Sequence, residues 1–176
     1  GVTPDSIAWP GFATIRKALS ILMDGSHANI NKQVGNEHKV RSFFNSILDP
    51  KHPAGDLTAD THAVGAALMK ALGGSSLEVS HNFGTTKKGT PGAGGSSLTG
   101  ASGMYGIYAD GYREAARILG IRPGQLQSIT WEGIRSIFPQ ATKKEVAKQV
   151  NAIWDRAKAG EITRADAEKQ ILDLSG

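Results

Sequence analysis

The chain has 176 residues, of which 39% are hydrophobic and 20% are charged, so its composition is that of one packed domain of ordinary size rather than a disordered segment. Cysteine is absent, which excludes disulfides, thiolate metal sites and cysteine nucleophiles. The formal charge of +4 is spread along the chain, which permits nucleic-acid binding without requiring it. No apolar run reaches the roughly 20 residues of a membrane helix, no signal peptide is visible, and Gly1 in place of methionine leads us to expect a processed or excised chain.

The apolar spacing predicts four helices in residues 1–72, each bounded by a polar cap or by a glycine or proline. Their expected limits are Phe12 to Asp24-Gly25, Ser26 to Gly35, Asn36 to Asp49-Pro50, and Thr58 or Asp60 to Gly73-Gly74. The expected inner faces of the third and fourth helices carry Val40, Phe43, Phe44 and Ile47, and Val64, Ala67, Leu68, Ala71 and Leu72.

Residues 73–103 form a glycine-rich insertion that interrupts this pattern. Nine glycines argue against a continuous helix, and only the run "SLEVSHNF" at 76–83 is compatible with a short strand. A loop of this length within a domain is usually functional or disordered. Two interpretations stay open: a protein partner or neighbouring subunit orders the segment, or the segment is a flexible surface insertion.

Helical spacing resumes at Tyr105 and continues to Gly120, and Pro123 begins a further helix that ends before Pro139. Thr142 and Thr163 are expected to cap two final helices that form a hairpin. We therefore expect a mainly α fold, a compact multi-helix domain over residues 1–140 with the insertion at 73–103, followed by a C-terminal helical hairpin over 141–176.

Two charged residues at predicted helix starts form the main candidate site. Lys39 lies in a first helical turn, where the positive helix end favours an uncharged amine that can attack an anomeric carbon and form a Schiff base. Asp60 caps the next helix, where its carboxylate can accept a proton and stabilise an oxocarbenium ion. Each residue also has a sufficient local role, as a solvated first-turn lysine and as an N-cap. A catalytic pair requires that the two share one cleft.

The stretch 33–68 resembles the helix-hairpin-helix DNA glycosylases of the endonuclease-three type. The likeness rests on Gly35 four residues before Lys39, a helix and a loop, and then Asp60-Thr61-His62 at the next helix start. The resemblance implies that Gly35 is the first hairpin glycine, Lys39 the Schiff-base lysine and Asp60 the catalytic aspartate. It implies a DNA-binding protein that excises a base, with abasic-site lyase activity where the lysine is the nucleophile.

The chain departs from that family at several positions. Glu37 replaces the second hairpin glycine, Gln33-Val34 replaces an apolar-proline pair, and only about 35 residues precede the hairpin. The segments 38–50, 60–68 and 112–135 also look like domains of large tailed-phage proteins. The alternative interpretation is therefore a non-enzymatic, virion-associated module that binds DNA or packs in an assembly. We expect a cytoplasmic or virion-associated location.

DNA contacts are expected from the hairpin and from the insertion. The residues concerned are Gly35, Asn36, His38, Arg41, Lys87 and Lys88. Arginines of the second half are further candidates for phosphate contacts, namely Arg113, Arg117, Arg122 and Arg135. The histidines lack metal-ligand spacing, so we expect neither a metal nor a cofactor. His62, the three tyrosines, Trp131 and Trp154 are more typical of helix packing than of ligand binding.

Overall fold

The structure is a computed structural model that describes residues 11–35, 38–51, 56–83 and 103–174. The mainly α, multi-helix fold expected from the sequence is confirmed, since helices dominate these ranges and no strand lies within them. The helices are α1 Phe12–Met23, α2 His27–Val34, α3 His38–Leu48, α4 Thr61–Leu68, α5 Leu77–Phe83, α6 Tyr105–Leu119, α7 Pro123–Ile137, α8 Lys143–Lys158 and α9 Arg164–Asp173. No helix in the described ranges combines the length and apolar character needed to cross a bilayer.

Helices α1 and α2 pair through polar side chains. The Asn29 amide donates to the carbonyls of Ser20, at 2.9 Å, and Asp24, at 2.7 Å, and the Gln33 amide donates to the Ser20 hydroxyl at 3.1 Å. The apolar side chains at the end of α1 take no comparable part, because Leu22 and Met23 remain more than four-fifths exposed. No described part of the chain therefore covers these two side chains.

The predicted inner face of α3 is wrong for Val40, Phe43 and Ile47, which are all more than half exposed. The helix instead turns two serines inward. Ser42 is buried, and the Ser46 hydroxyl donates to the Asp56 carbonyl at 3.1 Å. The helical period agrees with the sequence pattern, and of the four predicted inner residues only Phe44 is half-buried.

The core is built where α4, α6 and α7 meet. Its largest cluster joins buried side chains of the segment before α4 to those of the three helices: Leu57, Ala59, Ala63, Tyr105, Ala109, Tyr112, Ala116 and Leu126. Gly65 allows a close approach within α4, since a Cβ there would lie 3.0 Å from the Lys70 carbonyl oxygen and 3.7 Å from Ile134 of α7. The packing of α4 on α7 is what brings the candidate site together.

The predicted fourth helix ends earlier than expected, and the run that was compatible with a short strand is helical. Helix α4 ends at Leu68 because Met69 takes a left-handed conformation, with φ 46° and ψ 54°. The run at 76–83 forms helix α5, which buries Val79 and Asn82 on one face. A strand there would have no neighbouring strand within the described ranges, whereas helical spacing places both buried residues against the core.

The predicted C-terminal helical hairpin consists of α8 and α9. The Thr163 side chain caps α9 as expected, whereas Thr142 precedes α8 without a capping hydrogen bond from its side chain. A second core cluster joins Ile134 and Phe138 at the end of α7 to Val150 of α8 and Ile171 of α9. In addition, the Trp154 indole donates to the Met69 carbonyl at 3.2 Å. This cluster spans residue 140, and the division into domains at that position stays a prediction.

Candidate active site

Lys39 and Asp60 line the same cleft, which has a volume of about 420 Å³. Its walls come from α3, from the segment before α4 and from α7. We call it the Lys39 cleft, and its lining residues are Lys39, Phe43, Thr58, Asp60, Gln127, Ser128, Trp131 and Glu132. The sequence predicts these two residues, 21 positions apart, as a candidate pair. They line one cleft, as a catalytic pair requires.

Asp60 is the N-cap of α4, in agreement with one of the two predicted alternatives. Its Oδ1 accepts hydrogen bonds from the backbone N–H groups of His62 and Ala63, each at 3.0 Å. Its Oδ2 takes no part in the cap and lies 3.5 Å from Nδ1 of His62. One carboxylate oxygen is therefore committed to the helix start, while the other can exchange a proton.

The segment that carries Asp60 is held by buried side chains of α5 and α6. The Ala59 N–H donates to the Tyr105 hydroxyl at 3.1 Å, and that hydroxyl donates to the Leu57 carbonyl at 3.0 Å. The Asn82 amide donates to the Ala59 carbonyl at 2.8 Å. Because both neighbours of Thr58 are buried and hydrogen-bonded, the backbone leading into Asp60 has one well-defined position.

His62 connects this carboxylate to α7. Its ring lies edge-on to the ring of Trp131, with 5.5 Å between centroids and 63° between planes. Its Nδ1 is buried and makes no hydrogen bond. Oδ2 of Asp60, 3.5 Å away, lies just beyond the distance of such a bond. The expected core histidine is thus half-buried and lies between the Asp60 carboxylate and an aromatic residue of the cleft.

Lys39 is exposed, near the start of α3, and its amine is not neutralised by Asp60, since no salt bridge joins these two described side chains. The described residues contain no cluster of three or more His, Asp or Glu side chains suited to hold a metal ion. The chemistry available in this cleft is that of an amine, two carboxylates and an aromatic wall.

The predicted DNA-contacting hairpin is described only in part. Gly35 has φ 69°, a value that favours glycine, at the end of α2. The Arg41 guanidinium donates to the Gly35 carbonyl at 2.7 Å and to Asn31, so it fastens the start of α3 to the end of α2. Asn36, the side chain of His38, Lys87, Lys88 and residues 84–102 of the insertion lie outside the described residues.

The remaining arginine candidates fall into two groups. Arg113 and Arg117 form salt bridges within α6, to Asp110 at 2.7 Å and to Glu114 at 2.6 Å. Arg122 and Arg135 each line a cleft beside α7. The expectation that the tyrosines pack in the core is confirmed for Tyr105 and Tyr112, which are buried, and Tyr108 is half-buried.

The sequence pattern does not assign Trp131 or Glu132 to the site, since it indicates a packing role for Trp131 and no particular role for Glu132. Both lie on the face of α7 that also carries Ser128 and Arg135, at spacings of three and four residues. That polar face is the signal that the sequence offers, but only the packing of α7 against α4 places it beside Asp60.

Comparison with known proteins gives no relative for this chain: no family model matches it, and neither do the curated proteins or the solved structures.

Proposed function

We propose that the protein binds DNA and breaks an N-glycosidic bond in the Lys39 cleft, with Lys39 as the nucleophile and Asp60 as the proton acceptor. The observation that supports this most is the shared cleft itself, lined by both side chains. Its volume of about 420 Å³ falls within the range typical of sites for small ligands, so one extruded nucleotide is a suitable occupant.

In the proposed reaction, Oδ2 of Asp60 takes a proton from the Lys39 ammonium, and the freed lone pair attacks C1′ of the sugar. As the C1′–N bond breaks, the base leaves with the bonding electrons and takes the proton from Asp60, which regenerates the carboxylate. The negative charge of this carboxylate then stabilises the positive charge on the sugar adduct. Asp60 next takes one of the two protons of Nζ and passes it to O4′ as the C1′–O4′ bond breaks, which leaves a protonated Schiff base between Nζ and C1′. Water hydrolyses the Schiff base to release the amine.

Two features of the surroundings suit these roles. Backbone N–H groups bind Oδ1 of Asp60, which fixes the direction of the carboxylate. Trp131 and Phe43 provide apolar wall area against which a base or sugar can pack. Arg41 holds the helix that carries Lys39 against α2, so the amine is attached to a braced element rather than to a free loop.

Borohydride trapping on a duplex with a natural abasic site tests the proposal. Reduction of a Schiff base gives a stable protein–DNA adduct, and peptide mapping should place it at Lys39. We expect Lys39→Ala to abolish the adduct. The matched control is Lys144→Ala, another exposed lysine near the start of a helix but outside the clefts described, which should trap as efficiently as the native protein. Absence of an adduct with the native protein, or an adduct that persists in Lys39→Ala, contradicts the proposal.

A second candidate function is a non-enzymatic, virion-associated module that packs against a partner protein. The observation that favours it is the exposed apolar surface of α1, where Phe12, Leu22 and Met23 are each at least 80% exposed. Sedimentation of the native chain and of Leu22→Ser/Met23→Ser over a range of concentrations tests this candidate for self-association. A concentration-dependent increase in mass that the double variant lacks would support it, whereas monomers of both would count against self-assembly through α1.

A further inference from the structure

A second cleft lies next to the Lys39 cleft, on the other side of Glu132. It has a volume of about 400 Å³ and is formed by the second half of α7, the turn that follows it and the first residue of α8. We call it the Arg135 cleft, and its lining residues are His62, Glu132, Arg135, Ser136, Phe138, Pro139, Gln140 and Lys143. Glu132 lines both clefts, so a ligand longer than one nucleotide can extend from the first into the second.

No salt bridge within the described part of the chain neutralises the cations of the Arg135 cleft. Arg135 and Lys143 take part in none of the salt bridges formed among the described residues. This differs from α6, where Arg113 and Arg117 each bind a carboxylate three residues away. Arg135 and Lys143 belong to different helices and face one cleft. An anion can therefore bind both cations without first breaking a salt bridge.

Arg135 is also oriented before any ligand binds. Its guanidinium lies over the ring of Trp131, with Cζ 4.4 Å from the ring centroid. Stacking of this kind leaves the guanidinium edges available for hydrogen bonds to an anion such as phosphate. The hydroxyl of Ser136 and the amide of Gln140 line the same cleft and add hydrogen-bonding groups. Lys143, the first residue of the 16-residue helix α8, adds its charge at the positive helix end.

We propose that the Arg135 cleft binds a backbone phosphate of the DNA strand whose nucleotide occupies the Lys39 cleft. This inference rests on the proposed function, because the DNA is what links the two clefts. Among the described residues, Glu132 is the one carboxylate that lines the Arg135 cleft, and it lies at the junction. The phosphate therefore binds at the end formed by Arg135 and Lys143, and Glu132 opposes its binding from the junction.

His62 joins the two sites physically. It lines the Arg135 cleft, and its Nδ1 lies 3.5 Å from Oδ2 of Asp60, which lines the Lys39 cleft. An anion bound beside His62 thus interacts with the ring that contacts the proposed proton acceptor.

The experiment measures fluorescence anisotropy of a labelled duplex that contains a tetrahydrofuran abasic analogue, over a series of salt concentrations. This probe has no aldehyde and so reports binding without Schiff-base formation. The test variant is Arg135→Gln/Lys143→Gln. The matched control is Lys144→Gln/Lys148→Gln, which removes the same two charges from exposed positions of α8 outside both clefts. Circular dichroism verifies that each variant is folded.

We expect the test variant to bind at least about tenfold more weakly. The slope of log affinity against log salt should decrease by about 1 for each phosphate that the variant no longer neutralises. The control should change affinity far less. Glu132→Gln should bind the duplex more tightly than the native protein, a gain that misfolding cannot produce. Equal losses in the test and control variants, or unchanged or weaker binding by Glu132→Gln, overturn the inference.

The two proposals fail in different ways. Trapping of a natural abasic site by native protein, together with equal binding losses in test and control variants, would leave the Lys39 chemistry standing and remove the phosphate subsite. The expected binding pattern without any trapped adduct would retain the subsite and reject the glycosidic chemistry. No binding of the duplex by native protein overturns both.

Discussion

Asp60 has two tasks that substitutions can separate, since Oδ1 caps α4 and Oδ2 faces His62. We expect Asp60→Ala to lower the free energy of unfolding by about 1 kcal/mol, because the cap is removed. Asp60→Ser keeps an oxygen that can cap and should stay within about 0.5 kcal/mol of the native protein. Urea denaturation measures both values, and borohydride trapping should be abolished in both variants. Trapping by Asp60→Ser would show that the carboxylate is dispensable.

The tyrosines predict how stability depends on pH. Burial raises the pKa of Tyr105, Tyr108 and Tyr112 above the ordinary value of 10.0, and these are the three tyrosines of the chain. Since the folded state holds these protons more tightly than the unfolded state, the stability they contribute is complete below pH 10 and is lost as the pH rises above it.

We therefore expect tyrosinate absorbance to appear together with loss of the far-ultraviolet circular dichroism as the pH is raised. The reason is that the hydroxyls of Tyr105 and Tyr112 donate hydrogen bonds to the segment before Asp60 and to the first turn of α4, and ionisation would remove these bonds. A chain unfolded in urea serves as the control and should titrate near pH 10. Tyrosinate that forms near pH 10 in protein that is still fully helical would contradict the prediction.

At the scale of elements, the turn that follows α4 packs closely against a glycine of that helix. We expect Gly65→Ala to lower the free energy of unfolding by about 1 kcal/mol or more, because its Cβ would lie 3.0 Å from the Lys70 carbonyl oxygen, and such crowding outweighs the better helix propensity of alanine. Gly133→Ala in α7 is the matched control. No atom lies within 4 Å of the added methyl there, so this change should stabilise by up to about 1 kcal/mol. Equal effects of the two substitutions on urea denaturation would contradict the account.

Helix ends with local signals could be predicted from the sequence, and ends fixed by distant contacts could not. Ser26 and Thr163 cap their helices as their positions suggest. The end of α4 depends instead on Met69, whose carbonyl accepts a hydrogen bond from Trp154, 85 residues away. No local pattern near Met69 indicates that contact.

In the candidate site, too, the residues with local signals could be predicted and those placed by distant packing could not. Lys39 and Asp60 are near in sequence and stand at recognisable helix starts, so the sequence alone offers them as a candidate pair. Trp131, Glu132 and Arg135 belong to a helix some 70 residues later, and they reach Asp60 only through the packing of α4 on α7. The apolar faces of α1 and α3 show what a local pattern does not reveal. Their helical period is clear from the sequence, but the period does not determine which residues cover these faces.

At the scale of the whole molecule, the second core cluster predicts that the C-terminal helical hairpin is part of the cooperative fold. A chain that ends at residue 140 would lack Val150 and Ile171 and expose Ile134 and Phe138. Each buried side chain of this size contributes about 1.5–3 kcal/mol, so the sum is comparable with the roughly 5–15 kcal/mol that stabilises an ordinary domain. We therefore expect the shortened chain to lose its cooperative thermal transition.

The control for this deletion is the full chain with Trp154→Phe, which keeps an aromatic ring but removes the hydrogen bond to Met69. It should unfold cooperatively, with stability lower by about 1 kcal/mol. The shortened chain also lacks Lys143 but keeps Arg135, so any part that stays folded should bind the abasic-analogue duplex more weakly than the full chain. If the chain that ends at residue 140 melts at the same temperature as the full chain, the hairpin is a separate appendage, as the sequence pattern alone predicts.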